Sequence, residues 1–291
     1  MIFAMPWNPI NKRQPDYDFH AEWEALQLLG EAVILFDYDA LLNDEEWVNP
    51  FRVRAQATTI LYRGWMLTEE QYNRFENGLR GVGFTTLQRT DQYVTVHYFP
   101  YAYKYSDTLH QYSPNTDIIV GEEFHTQSIA IHLDYKPYIV KDWVKSAKGV
   151  ENAMHVKKPM DAKAARRTIE NMIESRKMYG FNKGIVSKEY IPINEIDGIK
   201  QEFRAFILNG QIISIDANNE EGVHFDPIVP NILLRIANEL DSTFMTIDFA
   251  LAGDKKPFIL ETGAGEVSGL ATTANPLAFY KKLLDVLYDN K

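Results

Sequence analysis

Residues 244–261 read Phe-Met-Thr-Ile-Asp-Phe-Ala-Leu-Ala-Gly-Asp-Lys-Lys-Pro-Phe-Ile-Leu-Glu, and this stretch decides the fold. Two apolar strand patterns, Phe244–Leu251 and Pro257–Glu261, flank the turn Gly253-Asp254-Lys255-Lys256. With those four residues as the loop, Ala252 faces Pro257, and pairing counted backwards sets Asp248 opposite Glu261. Residues that face each other in an antiparallel pair point to the same side of the sheet, and like charges there are destabilising unless compensated. A hard cation is the simplest compensation, because Mg²⁺ takes one or two carboxylates together with phosphate oxygens. The competing reading is a register slip of one residue, which separates the two acids onto opposite faces.

Outward from Glu261, the segment Thr262-Gly263-Ala264-Gly265-Glu266-Val267-Ser268-Gly269 carries glycines that let backbone approach a ligand closely. Upstream, Glu202-Phe-Arg-Ala-Phe-Ile-Leu208 runs into Asn209-Gly210, a strong two-residue hairpin signal, and Gln211–Asp216 completes the pair. Glu202, Arg204, Phe206 and Leu208 share one face. An arginine in so apolar a strand needs a partner. Two readings stay open: an ion pair with Glu202, or a bidentate clamp on a phosphate or carboxylate.

Between Lys136 and Arg167 stand nine basic residues and three acidic ones, in a chain of formal net charge −10. Lys141 ends an apolar strand pattern, Tyr138–Val144, and Lys145-Ser-Ala-Lys148-Gly149 reads as a small-residue loop carrying two cations. Such loops suit phosphate, with lysine as a point charge and backbone N–H groups as donors. Lys163, Arg166 and Arg167 lie on an expected helix running from after Asp161 to about Tyr179 and read as a solvated face. No Gly-x4-Gly-Lys-Ser/Thr spacing and no Gly-x-Gly-x-x-Gly after the first strand occur, which disfavours a P-loop or a dinucleotide-binding site.

Further strands are expected at Ile185–Ile191 and Gln201–Leu208, and helices over about Asn231–Leu240 and Pro276–Tyr288. With these the second part of the chain reads as α+β with antiparallel hairpins. The first part reads differently. Ala32–Asp37 and Thr58–Arg63 are strand patterns, Thr68 caps a helix to about Arg80, and Thr85–Leu87 returns as a strand. That rhythm predicts a small α/β domain over residues 1–115, with the larger domain over 116–291. Residues 1–20, rich in Pro and Asn, are expected to be irregular. Tyr93–Tyr112 is dense in aromatic side chains, which serve either as a stacking surface or as packing between domains.

The acidic balance disfavours general nucleic-acid or membrane binding. The absence of cysteine removes disulfides, thiol nucleophiles and zinc-thiolate sites. Met1–Pro9 lacks the basic flank of a signal peptide, and no apolar run is long enough to span a bilayer, so the cytoplasm is the expected location.

In order, the strand-borne Lys141 with its loop, Ser187-Lys-Glu-Tyr-Ile191, Glu202-Phe-Arg204, the Asp248/Glu261 pair and the glycine-rich exit resemble the ATP-grasp superfamily. Val140-Lys-Asp-Trp-Val-Lys-Ser146 and Glu202-Phe-Arg204 look like its Arg–two-Lys clade, and Arg63-Gly-Trp-Met-Leu67 before the Thr68 helix looks like that clade's N-terminal module. The resemblance covers roughly residues 58–275 and implies two α+β lobes gripping ATP. Lys141, Lys145 and Lys148 would contact phosphates, and Glu189, Tyr190 and Ile191 would form the adenine hinge. Glu202 would join the nucleotide site, Arg204 would neutralise phosphate or an acyl phosphate, and Asp248 and Glu261 would hold Mg²⁺. Many relatives place Asn two residues after the metal glutamate; here that position is Gly263, and Glu266 is the candidate for the missing oxygen. The implied chemistry joins an acid to an amine, small molecules or a peptide terminus, with Arg63 either on a substrate or in a structural ion pair. A small-molecule kinase or a nucleotide-holding module without turnover would share the same ATP residues.

Overall fold

The computed structural model describes residues 1–52, 59–147, 149–177, 180–181, 183–226 and 228–289. The N-terminal sheet holds β1 (Ile2–Pro6), β2 (Ala32–Phe36), β3 (Thr59–Tyr62) and β4 (Thr85–Thr86) in the order β2-β1-β3-β4, all parallel. Helices α1 (His20–Leu28), α2 (Tyr38–Leu42) and α3 (Glu69–Gly81) intervene. The expected irregular lead-in is corrected by β1, an inner strand of this sheet. Its five residues are all buried, and a parallel strand covered on both faces shows no alternation to read. Pro6, one of the prolines of that lead-in, sits at its last position. Helix α3 begins with a reciprocal capping box between Thr68 and Gln71, and Tyr72, Phe75 and Leu79 form its buried face.

Three short helices, α4 (Thr90–His97), α5 (Phe99–Tyr105) and α6 (Asp107–Tyr112), carry the aromatic-rich segment. Tyr93, Tyr98 and Phe99 are buried in the core, so most of this segment is packing. The boundary expected at residue 115 falls between α6 and the next strand. A small lobe follows: β5 (Thr116–Val120), α7 (Thr126–His132), β6 (Tyr138–Asp142), β7 (His155–Val156), α8 (Ala162–Lys177) and β8 (Gly184–Glu189), with antiparallel order β5-β8-β6-β7. After the hairpin β9 (Glu195–Ile196) and β10 (Ile199–Lys200) comes the large lobe. It contains β11 (Glu202–Leu208), β12 (Gln211–Ala217), α9 (Ile232–Glu239), β13 (Phe244–Ala252), β14 (Lys256–Ala264) and α10 (Pro276–Asp289). Its antiparallel sheet runs β12-β11-β13-β14. Asn209 and Gly210 both take positive φ, the geometry of the tight turn that their sequence signals.

The cores divide unevenly. The small lobe has a cluster of its own, from Ile129 to Ile185. The N-terminal sheet and the large lobe share two: one joins Phe36, Tyr62 and Phe75 to Phe203 and Phe249, the other joins Phe3 and Leu61 to Phe206, Phe244 and Tyr280. Among the described residues no helix is long and apolar enough to cross a membrane.

Candidate active site

The carboxylate pair is where the register places it, by a route that differs from the sequence reading. Ala252 pairs with Lys256, not Pro257, so the turn has three residues, Gly253 to Lys255. A β-bulge at Leu260 then restores the count and sets Asp248 opposite Glu261. The two offsets cancel.

Arg204 faces Asp248 across the β11–β13 ladder and grips it with both fork nitrogens, Nε to Oδ1 at 2.8 Å and Nη2 to Oδ2 at 2.7 Å. Its Nη1 donates to the Gly269 carbonyl at 2.8 Å. The partner is therefore the acid across the strand, and Glu202 is not needed for it. Burial opposes the Arg204 charge, and Asp248 more than restores it, so its pKa rises.

From the small lobe, Lys141 on β6 reaches Glu261, Nζ to Oε2 at 2.5 Å. Burial pushes the Glu261 carboxyl up, but Lys141 and Lys145 reverse the effect and hold it far below its ordinary range. Lys145 is half-buried, lines the same cleft and makes no ion pair among the described residues. Burial is the main cause that lowers its ammonium pKa. Three cations, Lys141, Lys145 and Arg204, thus face two carboxylates. The turn that aims Lys145 is held by Asp142, which is fully buried: its Oδ1 accepts from the Val144 and Lys145 amides at 2.7 and 2.6 Å, and its Oδ2 accepts from Arg176 Nε of α8 at 2.8 Å.

Lys188, on β8 beside β6, is also buried. Its Nζ lies 3.3 Å from the Phe99 ring centroid and donates to the Leu260 carbonyl, at the bulge. Burial, then Lys141, drives its pKa well down. Sequence reasoning missed Asp142, Arg176 and Lys188. The signal for Lys188 was present: a lone charge in an apolar strand, the argument already applied to Arg204.

The cleft is lined by Met66, His97, Val144, Lys145, Arg204, Thr246, Asp248, Glu261, Gly263 and Ser268, among others. Glu189, Tyr190, Ile191 and Glu202 lie outside this lining; Glu189 ends β8 and pairs with Lys136 at 2.9 Å. Lys148 lies outside the described residues.

Glu266 does not join the acid pair. Its side chain is buried on the N-terminal side, where Oε2 accepts from Gln88 Nε2 at 3.1 Å and Oε1 has no hydrogen-bond partner among the described residues. Among the described residues no three His, Asp or Glu side chains cluster to hold a metal. It is the direction of the Glu266 carboxylate, toward Gln88 and away from Asp248 and Glu261, that corrects its reading as a ligand. Burial pushes its pKa up to about 8, so the native state retains a proton that the unfolded chain releases. Stability from this group is therefore lost as pH rises from 4.5 through about 8. Glu266→Gln should keep the Gln88 contact and flatten the Tm–pH curve over that range; an unchanged slope contradicts the assignment.

At Gly263 a Cβ would lie 2.8 Å from Thr246 Oγ1 and 2.9 Å from Ser268 Oγ, so a side chain there would displace one of these hydroxyls. Those hydroxyls bond each other at 2.9 Å beside Gly263. The donor chemistry still fits Mg²⁺, which needs only one or two protein carboxylates when phosphate and water supply the rest.

Arg63 is 1% exposed. It donates to Glu22 through Nε at 2.8 Å and Nη2 at 2.9 Å, and through Nη1 to the Gly265 and Ser268 carbonyls. Tyr280 of α10 also donates to Glu22. Of the two readings, the structural ion pair is the one formed, and it fixes the glycine-rich exit of β14.

Solved structures share this architecture. D-cycloserine synthetase aligns with a TM-score of 0.66 at 14% identity, over 99% of this chain and 100% of that one. D-alanine–D-alanine ligase from Bacillus anthracis complexed with ATP aligns at 0.61 and 11%, over 99% and 98%. A macrocyclase from Microcystis aeruginosa bound with its precursor peptide aligns at 0.57 and 13%, over 99% and 100%. At these identities the likeness establishes the ATP-grasp fold. No curated protein matches the chain by sequence. The pattern of the ATP-grasp domain, Arg–two-Lys clade family 3, matches residues 128–283, and the chain belongs to that family.

Proposed function

We propose that the chain is an ATP- and Mg²⁺-dependent carboxylate–amine ligase, forming an amide or peptide bond through an acyl phosphate. The observation that carries this reading is Lys145: a half-buried cation without an ion pair among the described residues, beside Arg204–Asp248 and Lys141–Glu261. The lining pairs Lys145 and Arg204 with Asp248 and Glu261, and Lys141, bonded to Glu261, adds a third cation at the site, which suits a polyphosphate. Lys141 and Lys145 would bind phosphates, Arg204 would neutralise the transferring group, and Asp248 and Glu261 would hold Mg²⁺. Glu189, Tyr190 and Ile191 sit at the end of β8 as the adenine hinge. Bound Mg-ATP supplies the phosphoryl group that makes a carboxylate reactive; the residues contribute position and charge. ATP-grasp proteins of this fold include ones named for D-alanine ligation and D-cycloserine synthesis and one bound to a precursor peptide, which supports a small acid and an amine, or a peptide terminus, as substrates.

The test is ADP release from Mg-ATP with D- and L-amino acids supplied singly and in pairs. The expected result is ADP only with a productive pair, and a condensed product lighter than its parts by one water. A stable phosphorylated product without an amine would replace the ligase with a kinase. Tight nucleotide binding with no ADP from any combination would leave a module without turnover.

A further inference from the structure

His97 ends α4 and is 5% exposed, yet its ring makes no hydrogen bond among the described residues. No ring nitrogen of His97 is among the buried, unpartnered atoms, so the polar edge of the ring opens onto the cleft that it lines. The imidazole is firmly placed. It stacks on Tyr93 with centroids 4.7 Å apart and planes at 29°, and Tyr93 stacks on Tyr72 at 4.0 Å and 13°. Tyr98 meets its edge at 5.3 Å. Behind it, Thr262 Oγ1 donates to the Val96 carbonyl at 3.0 Å, fastening the helix end to the residue after Glu261. The ring lines the cleft with Lys145, Arg204, Asp248 and Glu261, and it is contributed by the N-terminal part of the chain rather than by either lobe.

Its charge state follows from the same surroundings. Burial, then Lys145 and Lys141, push its pKa down to about 3, so the imidazole is neutral and offers one N–H donor and one acceptor. The cations beside it suit phosphate. A neutral donor in the same cleft suits a group that must be held without being neutralised, because its oxygen is to act as a nucleophile.

Building on the ligase reading, we propose that His97 binds the acid substrate, donating a ring N–H to the carboxyl oxygen that does not attack phosphate. It needs no change of protonation to do so. The acid then lies in the cleft that His97 lines together with Met66, Lys145 and Arg204.

The test combines ring ¹⁵N spectra with kinetics. In ¹⁵N-histidine protein, the signal missing from His97→Gln should be that of a neutral ring. Acetate added to protein holding Mg-ADP should shift that signal, and Mg-ADP alone should move it less. With a productive acid from the ADP-release assay, His97→Phe should raise the KM for the acid by roughly tenfold or more, the effect of one hydrogen bond to a charged group. The KM for ATP should stay within about twofold, and His97→Gln should recover part of the loss. A signal indifferent to acetate in protein that binds Mg-ADP overturns the assignment and leaves the ligase standing. An unchanged acid KM in His97→Phe, or a parallel rise for ATP, also overturns it. Failure of the wild-type chain to bind Mg-ADP overturns the ligase and the assignment together.

Discussion

Arg63→Met is expected to cost about 3–5 kcal/mol, the loss associated with stranding one member of a buried ion pair. For a chain of this size that lowers Tm by roughly 10 °C. The cause is Glu22, which loses both fork contacts and keeps only the Tyr280 hydroxyl, in a site too buried for water to replace them. The Gly265 and Ser268 carbonyls lose their donor too. Glu22→Gln should be damaging as well, because it leaves the guanidinium without its countercharge. Replacing both residues by apolar ones of similar volume should recover much of the loss. Thermal unfolding of the three variants measures this. If Arg63→Met unfolds at the wild-type temperature, the pair is not a clamp.

Lys145→Met is expected to act in the opposite sense on stability while removing turnover. The native environment lowers the ammonium pKa, so at neutral pH the charge is held at a cost; that cost fades only as pH approaches the unfolded value of 10.5. Methionine removes the cost and fills similar space, and Tm should hold or rise. Turnover should fall by about 10²–10³, the usual effect of deleting one group that stabilises developing charge. Glu261→Gln should lose Mg²⁺-dependent ADP release as well, but with a lower Tm, because Lys141 is buried and Glu261 is its partner. Side-by-side scans and ADP-release rates separate the two outcomes. A Lys145→Met protein that is both active and unstable would contradict the phosphate role.

The contrast between Lys145 and Arg63 bears on what a sequence can disclose. The strands, the Asn209-Gly210 turn and the Asp248/Glu261 pairing were legible because alternation and turn chemistry are local. Even so, the pairing was reached through a turn one residue too long, and the bulge at Leu260 that corrects it has no local signature. Arg204 was recognised as needing a partner, but the partner stands on another strand. Glu266 shows the reverse error: nearness in sequence to Glu261 suggested a shared ligand, while the chain turns after Ala264 and directs the carboxylate toward Gln88. Strand β1 was invisible for want of periodicity. His97 and Asp142 were invisible because their significance arises only when separate segments meet, α4 with β14 and β6 with α8.

That dependence on distant segments governs how the chain can be made. Phe3 meets Tyr280 edge-on at 5.6 Å, and Glu22 shares its buried carboxylate between Arg63 and the same tyrosine. On the ribosome, the parallel sheet is therefore synthesised long before the helix that covers it, and its apolar underside waits in water. The small lobe, whose own core cluster draws on residues between 119 and 185, has no such wait. The middle of the chain can settle first, with its beginning and its final helix closing over each other last.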